Sequence, residues 1–237
     1  MKNYLLLISA LLVGCVTQVE NSQTLPDQDP ISIAESRIAL GLGYLKQQQP
    51  VKARENLERA LQQAPDYYRA QLALAHYWEF VKEPDKARDI YQQALKQHPG
   101  NGHVLNNYGA FLCKQGDFPL ADEMFNKAFD LSDYYQLTSS FENAALCAWK
   151  AGHAERAERY FERLLAFQPG HAQARLQLAR LQREQGKLIQ ARATLFEFKR
   201  EVGWNKLALE MMAELELAAG NPKLSDHYSA LATKLGH

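Results

Sequence analysis

The chain has 237 residues, with 27 basic and 27 acidic side chains, seven histidines and a formal charge of zero. This balance offers no electrostatic footprint for nucleic acid, and 46% hydrophobic with 23% charged residues lies in the ordinary globular range. Three cysteines are too few for a disulfide framework.

In chain order the first element is a leader. A start methionine and Lys2 precede the apolar stretch Leu5–Val13, then Gly14 and Cys15. The order basic, apolar, small is that of a secretory signal, and the stretch is shorter than the roughly 20 apolar residues that span a bilayer. Ending it on a small residue and Cys resembles the lipobox of bacterial lipoproteins. The resemblance implies a signal peptide over 1–14, a mature chain that begins at a lipid-bearing Cys15, and, with Val16 and not Asp after it, sorting to the outer membrane on its periplasmic side. Removing the leader deletes Lys2, which leaves 26 basic against 27 acidic residues. Residues 15–32 follow as a polar, proline-containing tether (VTQVENSQTLPDQDP), without helical or strand period.

Residues 33–237 repeat. KARENLERALQQAP (Lys52–Pro65) returns as KARDIYQQALKQHP (Lys86–Pro99), 34 residues later. The small residue that opens this segment recurs at Ala53, Ala87, Ala121, Ala157, Ala191 and Ser225, in steps of 34, 34, 36, 34 and 34. Gly116, Gly152, Gly186 and Gly220 precede the last four by five residues. Within each unit apolar residues return at helical spacing: Leu72, Ala75 and Trp78 in a first helix, Ala87, Tyr91, Ala94 and Leu95 in a second. Small residues let helix axes approach, and a large one on the neighbour fills the space. One hairpin cannot bury both faces, so the units must stack.

This pattern resembles the tetratricopeptide repeat, a 34-residue helix–turn–helix unit. It predicts an all-α solenoid of six units, at about 34–67, 68–101, 102–137, 138–171, 172–205 and 206–237, wound as a right-handed superhelix. The long step falls in Leu131–Phe141, where Asp133-Tyr134-Tyr135 replaces the closing proline; a longer second helix or a longer connection are both open. Cys113 and Cys147 fall in first helices of successive units. With axes about 8–10 Å apart, two largely buried thiols are the default and a disulfide the alternative.

No catalytic grouping stands out. The histidines lack metal spacing such as HExxH, and His153 and His171, in or just after turns, read as solvated. Phosphate-loop and nucleophile-elbow motifs are missing, and the carboxylates sit among basic residues on amphipathic faces. No enzyme activity, cofactor, metal or small-molecule substrate is expected. What remains is surface. In this repeat class first helices line a groove, and the register puts Ile38, Leu42, Arg69, Leu72, His76, His103, Asn106 and Trp149 there. An apolar stripe with a polar fringe suits a peptide or helix. Some such grooves clamp a terminal carboxylate with Lys, Asn and Arg; here Ile38 and Leu42 occupy two of the matching places and only Asn107 fits.

NNYGAFLCKQGDFPLADEMFNKA (Asn106–Ala128), FENAALCAWKAG (Phe141–Gly152) and IALGLGYLKQQQPVKARENLERAL (Ile38–Leu61) resemble the type IV pilus biogenesis and stability lipoproteins, the pilotin class. The two-residue insertion also resembles that family's pattern. The resemblance implies a lipid-anchored outer-membrane protein that binds subunits of the pilus secretin and promotes their localisation and multimerisation, with contacts in the first units around Ile38, Leu42, Leu72, His76, Asn106, Asn107 and Trp149. A periplasmic scaffold lipoprotein for cell-wall or division enzymes is the alternative.

Overall fold

The structure, a computed structural model, describes residues 29–131 and 136–235. The lipidation residue Cys15, the tether up to position 28 and the Asp133-Tyr134-Tyr135 departure lie outside them. The described residues form twelve helices and no strand. In order these are α1 (Pro30–Lys46), α2 (Pro50–Gln63), α3 (Tyr68–Phe80), α4 (Pro84–Gln97), α5 (Gly102–Gln115), α6 (Phe118–Phe129), α7 (Leu137–Lys150), α8 (Ala154–Phe167), α9 (Ala172–Glu184), α10 (Leu188–Val202), α11 (Lys206–Ala218) and α12 (Pro222–Leu235). Each odd helix packs on the even one after it, each pair on the next, and α1, α3, α5 and α7 touch in succession. This is the all-α tetratricopeptide solenoid that the 34-residue period predicts.

Local chemistry sets the boundaries. Pro30, Pro50, Pro84 and Pro222 occupy first helical positions, where the missing N–H is no loss and φ is already helical. Asn101 Oδ1 caps α5 by accepting from the His103 and Val104 N–H groups at 3.0 and 3.2 Å. His171, expected to be solvated, also caps a helix: its Nδ1 accepts the Ala174 N–H at 3.1 Å. A ring nitrogen three residues before a free helical N–H can serve as Asn or Asp would.

Each turn inside a pair has one residue in the left-handed region, five positions before the small residue of the second helix. Four are glycines, Gly116, Gly152, Gly186 and Gly220, with φ between 74° and 86°. In the first two units the same place holds Gln48 (φ 58°) and Lys82 (φ 63°), so the turn geometry persists where the residue type gives no sign of it.

The small-into-large rule is met inside the pairs. Ala53, Ala87, Ala121, Ala157 and Ala191 are fully buried. In the other direction, a Cβ on Gly41 would stand 2.5 Å from Leu57 Cγ, and one on Gly109 would stand 2.9 Å from the Phe125 ring. Stacked aromatics carry the packing through the middle of the solenoid: Tyr91 on Tyr108 at 5.7 Å between centroids, Phe129 on Phe141 at 4.2 Å. Tyr91 also donates from its hydroxyl to Glu79 Oε1 at 2.7 Å, and Lys114 Nζ stands 2.7 Å from the other oxygen of that carboxylate. Burial and the neighbouring Glu79 push the Tyr91 phenol far above its ordinary range. Towards the C-terminus, Glu216 is buried and receives Arg192 Nε and Nη2 at 2.6 and 3.0 Å and Asn221 Nδ2 at 2.8 Å. The Arg192 hydrogen bonds, opposed by burial and joined by Asn221, hold its carboxyl below the usual carboxylate range.

One expectation changes, and one open choice narrows. Cys113 and Cys147, taken by default as thiols, form a disulfide with Cα atoms 5.7 Å apart. An axis separation of about 8–10 Å overstates the gap between residues that face each other, because about 2.3 Å of backbone radius comes off each side. At the long step between units three and four the second helix is not longer: α6 ends at Phe129 and has 12 residues, against 14 for α2 and α4. The chain between Phe129 and Leu137 spans 130–136, against 64–67 and 98–101 for the two preceding junctions.

Candidate peptide-binding groove

The first helices of units one to three converge on a cavity of about 510 Å³. Helical spacing selects its lining. Ile38 and Leu42 lie one turn apart on α1; Tyr68, Leu72 and His76 form a row at four-residue spacing on α3, with Arg69 and Ala73 beside it; His103 and Asn107 lie one turn apart on α5. Gln136, just before α7, completes the wall. Ile38 and Ala73 are buried, Leu42 and Leu72 half-buried, and His76 and Asn107 exposed, so apolar side chains form the floor and polar groups the edge.

The edge is braced from behind. Arg69 Nε lies 3.1 Å from Glu35 Oε1, and the same oxygen accepts a hydrogen bond from the Tyr67 hydroxyl. Burial, then the bond to Glu35, push the Tyr67 phenol up to about 12. Tyr68 stacks on the His103 ring, centroids 5.7 Å apart and planes 19° off parallel, and meets His98 edge-on at 6.1 Å. Burial first, and the Arg69 charge second, hold the His103 imidazole below its ordinary value. Asn107 donates from Nδ2 to the His103 carbonyl at 2.8 Å. The recess thus has an apolar base and a polar rim in which Arg69 is paired with Glu35, suited to holding a side chain of another polypeptide. Among the described residues no group of three or more His, Cys, Asp or Glu could hold a metal ion, and no helix is long and apolar enough to cross a membrane.

The seven residues expected at the groove divide. Ile38, Leu42, Leu72, His76 and Asn107 line the one cavity. Asn106 is instead buried between α5 and α7, where its Oδ1 accepts from Asn143 Nδ2 at 3.1 Å. Trp149 belongs to the next stretch of the inner wall: its indole N–H donates to Glu184 Oε2 at 3.1 Å, and the Arg180 guanidinium lies 5.6 Å from its ring. Tyr68, Ala73 and Gln136 also line the cavity and were not expected there. The row Leu72–His76 extended one turn back would have found Tyr68; nothing in the local pattern marks Gln136.

Fold and groove together are those of a tetratricopeptide-repeat protein, and sequence profiles of that repeat match residues 38–79, 68–101, 102–170 and 148–199. The type IV pilus assembly protein PilF of Pseudomonas aeruginosa is 30% identical over 203 residues, 86% of this chain and 81% of the relative. A solved structure of Pseudomonas aeruginosa PilF superposes with a TM-score of 0.71 at 27% identity, over 87% of this chain and 93% of that one. PilW, described as a widely conserved type IV pilus biogenesis factor, gives 0.72 at 28% identity, over 84% and 91%. The chain belongs to the family of the type IV pilus assembly protein PilF.

Proposed function

We propose that this protein is a lipid-anchored outer-membrane pilotin, which captures subunits of the type IV pilus secretin and promotes their localisation and multimerisation. The observation that carries the reading is kinship with a type IV pilus assembly protein along 86% of the chain. The leader ending at Cys15 supplies the anchor in this reading, and two or more acyl chains there hold the protein stably at a membrane surface. The cavity of Ile38, Leu42 and Leu72 supplies the grip. The work is binding and delivery: the chain holds a subunit at the membrane and leaves channel formation to the subunits themselves.

The test is removal of the gene, followed by gel analysis of secretin multimers in outer-membrane fractions. Loss of multimers, restored by the wild-type gene and not by Leu72→Asp, is the expected result. Cys15→Ala should yield a folded protein in the soluble periplasmic fraction. Normal multimers in the deletion strain would remove the pilotin reading; wild-type protein without acyl mass at its mature N-terminus would remove the anchor.

A further inference from the structure

The apolar floor of the first cavity continues along α1 towards the point where the chain enters that helix. Ile31, Glu35, Ile38 and Leu42 follow one another at spacings of four, three and four, so they share one helix face. Ile38 and Leu42 line the cavity, Glu35 is engaged by Arg69 and the Tyr67 hydroxyl, and Ile31, second residue of the helix, is 46% exposed. The chain before this point, residues 16–28, lies outside the described residues. Its sequence, VTQVENSQTLPDQ, has three large apolar side chains, Val16, Val19 and Leu25, among polar ones. Leu25 stands four residues before Asp29, which gives it a reach of about 13–14 Å. Ile38 stands nine residues after Asp29, about 13–14 Å along the helix. Val19, ten residues before Asp29, reaches about 33–36 Å. That passes Leu42, at about 20 Å along α1, and spans the further step of about 8–10 Å to a neighbouring helix axis, where Leu72 lies.

We propose that this tether is the resident guest of the cavity: residues 19–25 fold back along α1 and seat Leu25 and Val19 on Ile38, Leu42 and Leu72, until a client displaces them. The seating stands on the cavity and on the length of chain before it; its effect on clients rests on the reading of the cavity as the client site. Removal of hydrocarbon from water drives the contact, and the volume of about 510 Å³ accommodates a few side chains. Covalent attachment gives the tether its advantage over a free peptide. A segment on a short linker acts at an effective concentration in the millimolar range, so a contact of only millimolar intrinsic affinity fills the cavity about half of the time. A client then meets a cavity whose open fraction scales its apparent affinity. Weak segments are turned away, and a tight one displaces the guest. With two apolar side chains among polar ones, the tether holds weakly enough to be displaced.

The test uses the whole mature chain from residue 15, with Cys15→Ala so that neither lipid nor detergent competes for the apolar floor. The photo-cross-linker p-benzoylphenylalanine replaces His76, an exposed residue at the edge of the cavity. Irradiation of a mixture of isotope-light and isotope-heavy protein should join position 76 to residues 19–25 of the same copy. Addition of the intact secretin subunit should suppress these cross-links. Val19→Ser together with Leu25→Ser keeps the length of the tether and removes only its hydrocarbon. This double variant should lose most of the cross-links and bind the subunit about two- to fivefold more tightly, measured by fluorescence anisotropy. Absence of tether cross-links, cross-links undiminished by the two serines, or cross-links between different copies would overturn the inference and leave the client reading as it stands. Cross-links within one copy that the serines abolish, with unchanged or absent binding of the subunit, would keep the resident guest and remove the cavity as the client site.

Discussion

Two glycines in one helix should respond to the same substitution with opposite signs. Gly41 and Gly43 both lie in α1, and alanine at either gains about 0.5–1 kcal/mol from helix propensity and reduced unfolded-state freedom. At Gly43 a new Cβ meets nothing within 4 Å, so that gain should survive. At Gly41 it would stand 2.5 and 2.6 Å from Leu57 Cγ and Cδ2 and 3.2 Å from the Ala53 carbonyl oxygen. Leu57 is fully buried, and its Cγ is a branch point that cannot swing aside. The second obstacle is backbone. Relief therefore requires α1 and α2 to separate, and overpacking of this kind costs about 1–3 kcal/mol. The net expectation is a loss of about 1–2 kcal/mol for Gly41→Ala and a gain of about 0.5–1 kcal/mol for Gly43→Ala. Urea titrations followed by far-UV circular dichroism measure both, and amide exchange over residues 30–63 shows whether the loss is local to the first unit. Equal signs for the two variants, or a Gly41→Ala protein as stable as the wild type, would refute the close approach of α1 to α2. Leu42 lines the cavity next to Gly41, so the same variant should also weaken client capture.

Three further outcomes can be stated. Lys82, in the left-handed region at φ 63°, should give a more stable protein as Lys82→Gly, by about 0.5–1 kcal/mol, whereas Gly116→Ala should lose about 1–2 kcal/mol; thermal midpoints distinguish them. Reduction of the Cys113–Cys147 bridge, which spans 34 residues, should remove about 3–4 kcal/mol by chain entropy, read as a fall in the urea midpoint with added reductant and no such fall in a double Cys→Ala variant. Glu216→Gln should cost about 2–3 kcal/mol at neutral pH. Because the folded-state value of Glu216 is depressed, its contribution is fully present above the unfolded-state value of about 4.3 and is lost as pH falls through the lower folded-state value. The difference between wild type and variant, measured by urea titration at pH 7 and pH 3, should therefore shrink in acid; a constant gap would contradict the assignment.

The repeat was legible because one physical requirement recurs every 34 residues. A small residue opens each second helix, fully buried at Ala53, Ala87, Ala121, Ala157 and Ala191 and only half-buried at Ser225 in the terminal unit. The turn was legible at Gly116, Gly152, Gly186 and Gly220, where residue type signals the backbone. At Gln48 and Lys82 it was not, since a long polar side chain is compatible with many conformations and only the stack imposes this one. The cavity was readable where a row of side chains shares a helix face, as with Ile38 and Leu42 or Leu72 and His76. Asn106 and Asn107 show the resolution of such reading. Neighbours on a helix point about 100° apart, so one lines the cavity and the other is buried against Asn143. Trp149 depends on a partner one repeat away, Glu184, which no local pattern discloses.

The bridge between α5 and α7 has a mechanical meaning for a linear array. When each unit touches only its neighbours, stability is a sum of units and junctions, and a covalent tie at one junction makes it the last to part. The stack should therefore fray from both ends toward its centre, so the terminal unit carrying Ile38 and Leu42 can breathe and accept a guest while the middle stays shut.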